Sequence, residues 1–382
     1  MYKIKMITLS VCLLLVGKAY AVEENNESSG ITFRGMPTLS ANPTSGTGLG
    51  LTGIMIYKVD PNSSPSQTIL TGQYTNTNSY NLFAINKMFF ASDLWQSNTL
   101  IGHLFNNSEF DIPMDISVPT RDDSAEFDVT ISVIGQQLLY QFVEYFYAGG
   151  QVFYVDQKFN GQNNSGTAFL KSRGIEDSKR GGYGFTLNYD SRSKTEKFFP
   201  TNSSFVSVTA NHFPVKLGVK ENYYNGTANA RKYIHGFRDI DVFAMQLFGQ
   251  YSNESTPDGA LAALGSRSIL RGFPIGEYKA RNMIATQGEY RYTIDDTRIR
   301  LTVFGGYANL SGGSQDVNVI VNVGGVDHTV TGNRDKDNGH YYSGGVGVHY
   351  ILVEKQQLDY RVDLAYTNKK ETSIYASLNQ AF

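Results

Sequence analysis

Leu358-Asp359-Tyr360-Arg361-Val362-Asp363-Leu364-Ala365-Tyr366 alternates in character: Leu358, Tyr360, Val362, Leu364 and Tyr366 fall on one side, Asp359, Arg361 and Asp363 on the other. A period of two is the mark of a β-strand, whose successive side chains point to opposite faces. The same split appears in Tyr183-Gly184-Phe185-Thr186-Leu187-Asn188-Tyr189, and again where Ile299, Leu301, Val303 and Tyr307 oppose Arg298, Arg300 and Thr302. Further segments of this kind lie at 49–59, 66–76, 80–90, 97–106, 125–140, 143–158, 202–213, 221–236, 239–251, 282–294, 339–351 and 371–382, fifteen in all.

A soluble sandwich would also alternate, and three features separate the two readings. The segments run to about 10 residues or more, the length a tilted strand needs to cross a bilayer, whereas soluble strands have about 5–6. Their polar faces carry charges and glycine instead of a second set of core residues, as a wet or plugged lumen requires. Tight turns at Asp295-Asp296 and Glu354-Lys355 contrast with long polar connections at 107–124, 159–181, 252–281 and 310–338. That asymmetry belongs to outer-membrane barrels. Past the first residues there is no run of about 18 apolar side chains, so helices do not span the membrane. The fold class is therefore all-β: a transmembrane antiparallel β-barrel.

The beginning of the chain sets the compartment. Lys3 and Lys5, an apolar stretch over 6–16 and Ala19-Tyr20-Ala21 form a signal peptide over 1–21, with an A-x-A cleavage site. Cys12, the single cysteine, leaves with it, so neither disulfides nor cysteine–metal chemistry are expected. Residues 22–32 read as a flexible periplasmic tail and 33–382 as the barrel. The mature chain carries 30 basic against 35 acidic side chains, a net charge of −5, which argues against a nucleic-acid partner. At the other end Ile374, Leu378 and Phe382 share one face of the last segment, together with Ala376 and Gln380. This resembles the C-terminal signal by which Gram-negative outer-membrane proteins are recognised for assembly.

Four short motifs, in order, resemble the BamA/TamA/FhaC (bacterial surface antigen) superfamily over nearly the whole mature chain. Pro43-Thr44-Ser45-Gly46-Thr47-Gly48-Leu49-Gly50 resembles the entry into the family's first barrel strand. Tyr189-Asp190-Ser191-Arg192 with Phe199-Pro200-Thr201 resembles a mid-barrel segment and the turn after it. Leu264-Gly265 with Leu270-Arg271-Gly272-Phe273 resembles the loop carrying the family's (Val/Leu)-Arg-Gly-(Phe/Tyr) signature, and Gln287-Gly288-Glu289-Tyr290-Arg291 the acidic strand facing that loop. The resemblance implies sixteen strands, so against the fifteen segments one is either missed or overcounted; 111–118 is a candidate for a missed one. The pair 317–323 and 326–331 reads as a loop hairpin.

A long loop folded into the lumen can bring a cation to buried acidic partners. Arg271 offers a planar fork for carboxylates, Gly272 permits an unusual turn and Phe273 can wedge against the wall. Alternation places Glu289 and Arg291 inward, and Asp190 and Arg192 likewise, so these four are the expected lumen partners, with Glu289 the chief partner of Arg271. Two departures stand out. Where the family carries Phe-x-Asp-x-Gly, this chain reads Phe304-Gly305-Gly306-Tyr307-Ala308, which removes a carboxylate and leaves Glu289 alone, or another acid such as Asp190, to hold the loop. Residues 22–32 are also too short for a POTRA domain, which places the chain in a POTRA-less branch.

Other chemistry finds little support. Gly48, Gly50 and Gly53 match a dinucleotide fingerprint, but a strand-like Ile54-Met55-Ile56-Tyr57 follows where a helix is needed. The histidines are scattered, no G-x-S-x-G element occurs, and no catalytic residue, cofactor or metal is expected. The resemblance implies insertion or movement of protein or lipid at the outer membrane of a Gram-negative bacterium, through a seam between 49–59 and 371–382. The expected partners are outer-membrane lipids and lipopolysaccharide, the barrel assembly machinery, and a periplasmic protein or lipoprotein replacing the missing domains. The alternative is a passive pore or surface-structural barrel.

Overall fold

The computed structural model describes residues 31–42, 46–111, 124–172, 175–193, 199–265, 268–273, 277–312, 317–323, 326–332, 337–354, 357–378 and 382. The signal peptide and most of the expected tail lie outside them. In chain order the first strands are β1 (Thr32–Asn42), β2 (Gly46–Tyr57), β3 (Ser66–Thr75), β4 (Tyr80–Phe90), β5 (Trp95–Asp111), β6 (Ser124–Val143) and β7 (Phe146–Gly161). After a short helix, α1 (Asn164–Ser172), come β8 (Ser178–Asp190), β9 (Ser203–Phe213), β10 (Tyr223–His235) and β11 (Val242–Ser252). Then follow the short β12 (Ala262–Ala263) and β13 (Lys279–Ala280), β14 (Asn282–Thr293), β15 (Ile299–Ser311), β16 (Val317–Val323) and β17 (Val326–Gly332). The chain continues through β18 (Gly339–Val353), β19 (Leu358–Thr367) and β20 (Thr372–Leu378).

Sixteen of these form a closed antiparallel barrel in which each strand pairs with its neighbours in sequence, while β12 with β13 and β16 with β17 form separate two-stranded sheets within loops. The strand missing from the fifteen segments is β1, not 111–118, which beyond Asp111 lies outside the described residues. β1 escapes a periodicity search because Pro37 sits mid-strand and Arg34 and Gly35 dilute the alternation. Proline withholds a ladder donor and is confined to edges. Segment 49–59 is accordingly the second strand, and the seam joins β1 to β20.

The outer face is apolar, with Leu51 72% exposed and Phe185, Leu247, Val303 and Leu364 also open to the surroundings. Such a surface suits lipid and not water. Aromatic groups gather toward both rims. At the end bearing the short turns, Trp95 packs on Phe90 and Tyr140 at 6.4 and 4.9 Å between ring centroids. Toward the end with the long loops, His212 stacks on Tyr224 at 4.4 Å and meets Tyr183 edge-on at 5.3 Å.

Two kinds of wall line the lumen. From β5 to β10 a neutral amide ladder crosses it: Asn98 donates to Gln137, Gln137 to Gln151, Gln151 to Asn211 and Asn211 to Asn225, over 2.5–2.8 Å. From β14 to β19 it is charged.

The seam is thin. β1 and β20 share only the pairs Ser40↔Tyr375 and Ala41↔Ile374 among the described residues, whereas β1 and β2 share eleven. Below those pairs, toward the short turns, the gap is filled by side chains. Met36, Ile54 and Ile56 from β1 and β2 pack in one buried cluster with Val353 and Leu358 from β18 and β19.

The turn at 236–241 is fixed by charge. Arg238 donates to Asp241 over 2.7 Å and to Asp295 over 2.9 Å, and Asp241 also accepts from the Thr293 N–H and the Tyr290 hydroxyl. The Arg238 guanidinium, aided by those two donors, holds the Asp241 carboxyl down at about 2. A depressed folded-state value means stability present above the ordinary carboxylate range and lost as pH falls through it. Barrel stability in detergent is expected to decline between about pH 4 and 2, and Asp241→Asn to flatten that decline.

Candidate functional site

The charged wall is built by parity. On β19 the side chains of Asp359, Arg361 and Asp363 point inward and are fully buried, while Val362, Leu364 and Tyr366 face out. β14 contributes Glu289 and Arg291, β15 Arg300 and Phe304, and β18 His349, all buried. Into this group descends the segment 268–273. Leu270, Arg271 and Phe273 are each 1% exposed or less.

Arg271 spreads its fork across two strands. Nη2 donates to Glu289 Oε2 at 2.7 Å and Nη1 to Asp363 Oδ2 at 2.8 Å, and Cζ lies 3.5 Å from the centroid of the Phe304 ring. Glu289 in turn is the hub of three arginines, accepting from Arg291 Nε at 2.8 Å and Arg361 Nη2 at 3.1 Å besides Arg271. Arg361 returns to Asp363 at 2.6 Å. His349 sits between Asp359 and Asp363, with a ring nitrogen 3.6 Å from each, and Arg300 closes on Asp359. Buried ion pairs are tolerated when each charge is met several times over, as here for Glu289 and Asp363.

The backbone that delivers Arg271 is strained. Leu270 has φ 49° and Gly272 φ 116°, both in the left-handed region. A leucine there costs about 1–2 kcal/mol. Its burial among Leu264, Phe273, Met283, Ala308 and Leu310 offsets that cost. The tip is also tied to the seam strand: the Gly272 N–H donates to the Tyr375 hydroxyl at 3.0 Å, and Ser373 Oγ donates to the Gly272 carbonyl at 2.8 Å. At its far side the same loop is held by Arg180, which donates to the Gly259 carbonyl at 3.0 Å.

The expected partners divide. Glu289 holds Arg271 directly, and Arg291 is linked to the loop only through Glu289. Asp190 and Arg192 do not hold it: they pair with each other at 2.8 Å, with Arg192 over the Phe205 ring, while the carboxylates on Arg271 are Glu289 and Asp363. The second acid comes from β19, three strands round the wall from Glu289. Gly306 explains why it does not come from β15. A Cβ on Gly306 would lie 2.8 Å from both Leu270 Cδ1 and Gln287 Cβ, so the place where the sequence resemblance expected an aspartate is filled by the loop and by β14. Gly347 makes room for the replacement, since a Cβ there would fall 2.2 Å from Asp363 Oδ1. Asp363, Arg361 and His349 were not singled out from sequence, although the alternation of 358–366 already placed the first two inward.

The chain end differs as well. Ile374 lies on the outer face of β20, opposite Leu364. Leu378 closes β20, and its side chain lies outside the described residues. Phe382 does not share the face of Ile374; it is buried with Phe199, Tyr233, Val242 and Ala244, and its main-chain oxygen accepts from Arg291 Nη2 at 3.2 Å.

No protein-family profile matches the sequence, and no curated protein matches it. Solved structures do resemble it. BamA from Haemophilus ducreyi lacking POTRA domains 1–3 is similar at a TM-score of 0.51 and 14% identity, covering 92% of this chain and 70% of that one. CdiB from Acinetobacter baumannii is similar at 0.59 and 10% identity, covering 92% and 60%. The fold is that of these barrels. CdiB from Escherichia coli is similar at 0.59 and 10% identity, covering 91% and 62%, so this chain spans under two-thirds of either CdiB.

Proposed function

We propose that the protein is an integral barrel of the Gram-negative outer membrane, exported by the signal peptide at 1–21, that inserts or moves polypeptide or lipid there. In this reading 253–281 is an extracellular loop folded into the lumen, and its tip steadies β20 beside the seam. The observation that carries the proposal is the contrast, among the described residues, between two residue pairs at the seam and eleven between β1 and β2. A seam that thin can be parted at small cost, and the freed strand edges can then pair with an incoming strand. The implied surroundings are lipids and lipopolysaccharide, the barrel assembly machinery, and a periplasmic protein or lipoprotein supplying what POTRA domains supply elsewhere. No enzymatic step is part of the proposal.

Ala41 and Ile374 are register partners across the seam, within reach of a disulfide. Ala41→Cys with Ile374→Cys, oxidised in proteoliposomes, is expected to abolish any acceleration of folding of an added unfolded barrel protein, and reduction is expected to restore it. An unchanged rate in the crosslinked protein would falsify seam opening. The neutral amide ladder from Asn98 to Asn225 favours a second reading, a passive pore for uncharged solutes, for which the crosslink should leave conductance steady and equal before and after reduction.

A further inference from the structure

Arg231 projects inward from β10 and has no carboxylate partner among the described residues. Its polar contact is a 3.4 Å bond from Nε to Asn229 Oδ1, and its Cζ lies 5.4 Å from the centroid of the Phe205 ring. Arg192 occupies the same ring at 4.6 Å, and its own charge is met by Asp190. Two residues along β10, Tyr233 is fully buried, its hydroxyl beside the guanidinium groups of Arg192 and Arg231 and with no acceptor for its own proton among the described residues. Arg291 reaches the same place from β14, with Cζ 5.8 Å from the Tyr233 ring centroid. It is also fully buried; Nε and Nη2 are used on Glu289 and Phe382, and Nη1 has no partner.

The charge balance points the same way. Among the described residues, the two charge groups and Arg231 bring together six guanidinium groups, Arg192, Arg231, Arg271, Arg291, Arg300 and Arg361, against five carboxylates, Asp190, Glu289, Asp359, Asp363 and the main-chain one of Phe382. Burying cationic charge without a counter-charge is costly, and unmet N–H and O–H donors add to the cost. Donors from two strands that do not share a plane suit an acceptor with oxygens in several directions. We propose that Arg231, the free Nη1 of Arg291 and the Tyr233 hydroxyl form a binding position for a phosphate group on the lumen wall near the short turns. It is independent of seam opening.

The phosphate can come from free phosphate or from a phosphate monoester such as a lipid headgroup, and calorimetric titration of the detergent-folded full chain separates the two. The probes are inorganic phosphate and glycerol phosphate, with sodium chloride at matched ionic strength as the reference. Saturable binding of at least one phosphate probe is expected, weakened at least tenfold in Arg231→Gln and several-fold in Tyr233→Phe, with partial recovery in Arg231→Lys. Binding of glycerol phosphate alone assigns the site to an esterified headgroup; equal binding of both assigns it to the phosphate group itself. A response equal to that of chloride, or phosphate binding undiminished in Arg231→Gln, overturns the proposal. If Arg231→Gln fails to give the compact, heat-modifiable barrel on a gel, Tyr233→Phe decides: it removes one hydroxyl and no charge, and undiminished binding in that variant overturns the proposal.

Discussion

Glu289→Gln is expected to be among the most destabilising single substitutions in the barrel, lowering stability by about 3–5 kcal/mol, the cost of removing one partner from a buried ion pair. The side chain keeps its size and loses its charge, so Arg271, Arg291 and Arg361 would converge on a neutral amide. Unfolding in urea from detergent micelles, or the temperature at which the compact gel form is lost, reads the effect. Arg271→Ala should cost less, because Glu289 and Asp363 retain Arg361 and Glu289 also retains Arg291. Combined, the two substitutions should fall short of the sum of the single losses by more than about 0.5 kcal/mol, as contacting residues do. Strict additivity, or a silent Glu289→Gln, would remove the arginine–glutamate hub as the anchor of the loop.

Gly306→Asp carries the second large expectation, and its sign runs against the family resemblance. Judged from the sequence resemblance alone, the substitution would supply a carboxylate and should strengthen the grip on Arg271. In the structure the position is filled, with Leu270 Cδ1 and Gln287 Cβ each 2.8 Å from where the new Cβ would sit and the Thr286 carbonyl at 2.9 Å. Overpacking of this kind costs about 1–3 kcal/mol. The compact form is expected to melt earlier in Gly306→Asp, and Leu270→Ala in that background to recover part of the loss by vacating the space. A Gly306→Asp protein that melts later than the parent would mean that the loop can move aside and that Asp363 is not its settled second anchor.

Much of this was legible in the residues. Alternation at 183–189, 299–307 and 358–366 is strong because one face meets lipid, and strands of this kind declare themselves without tertiary information. β1 was not legible, because an edge strand with a proline is stabilised by one neighbour and by Met36 packing under the seam, neither of which shows as periodicity. At the site, parity placed Glu289, which accepts from Arg271, and Arg291, which reaches the loop only through Glu289, on the inner face, but it also placed Asp190 and Arg192 inward, and parity alone does not say which inward charges lie at the same height. Asp190 is on β8, far round the wall, whereas Asp363 stands on β19 in line with Phe304 and the loop tip. Phe382 escaped for a different reason. A terminal aromatic reads as the last outward residue of a strand, and only the buried group of Phe199, Tyr233, Val242 and Ala244 shows that it turns inward.

Tyr375 belongs at once to two contacts that have so far been described apart. Its backbone is opposite Ser40 at the seam, and its hydroxyl receives the Gly272 N–H of the loop tip. Because both contacts run through Tyr375, the work that frees the loop tip from β20 and the work that frees β20 from β1 are expected to be coupled, and because free energy is a state function any such coupling is reciprocal. If docking of Arg271 favours the closed seam by some factor, closure favours docking by that same factor. A weakened Arg271 anchor should therefore be felt at the barrel wall as a higher population of unzipped β1–β20 ends, even though no atom of the arginine touches β1.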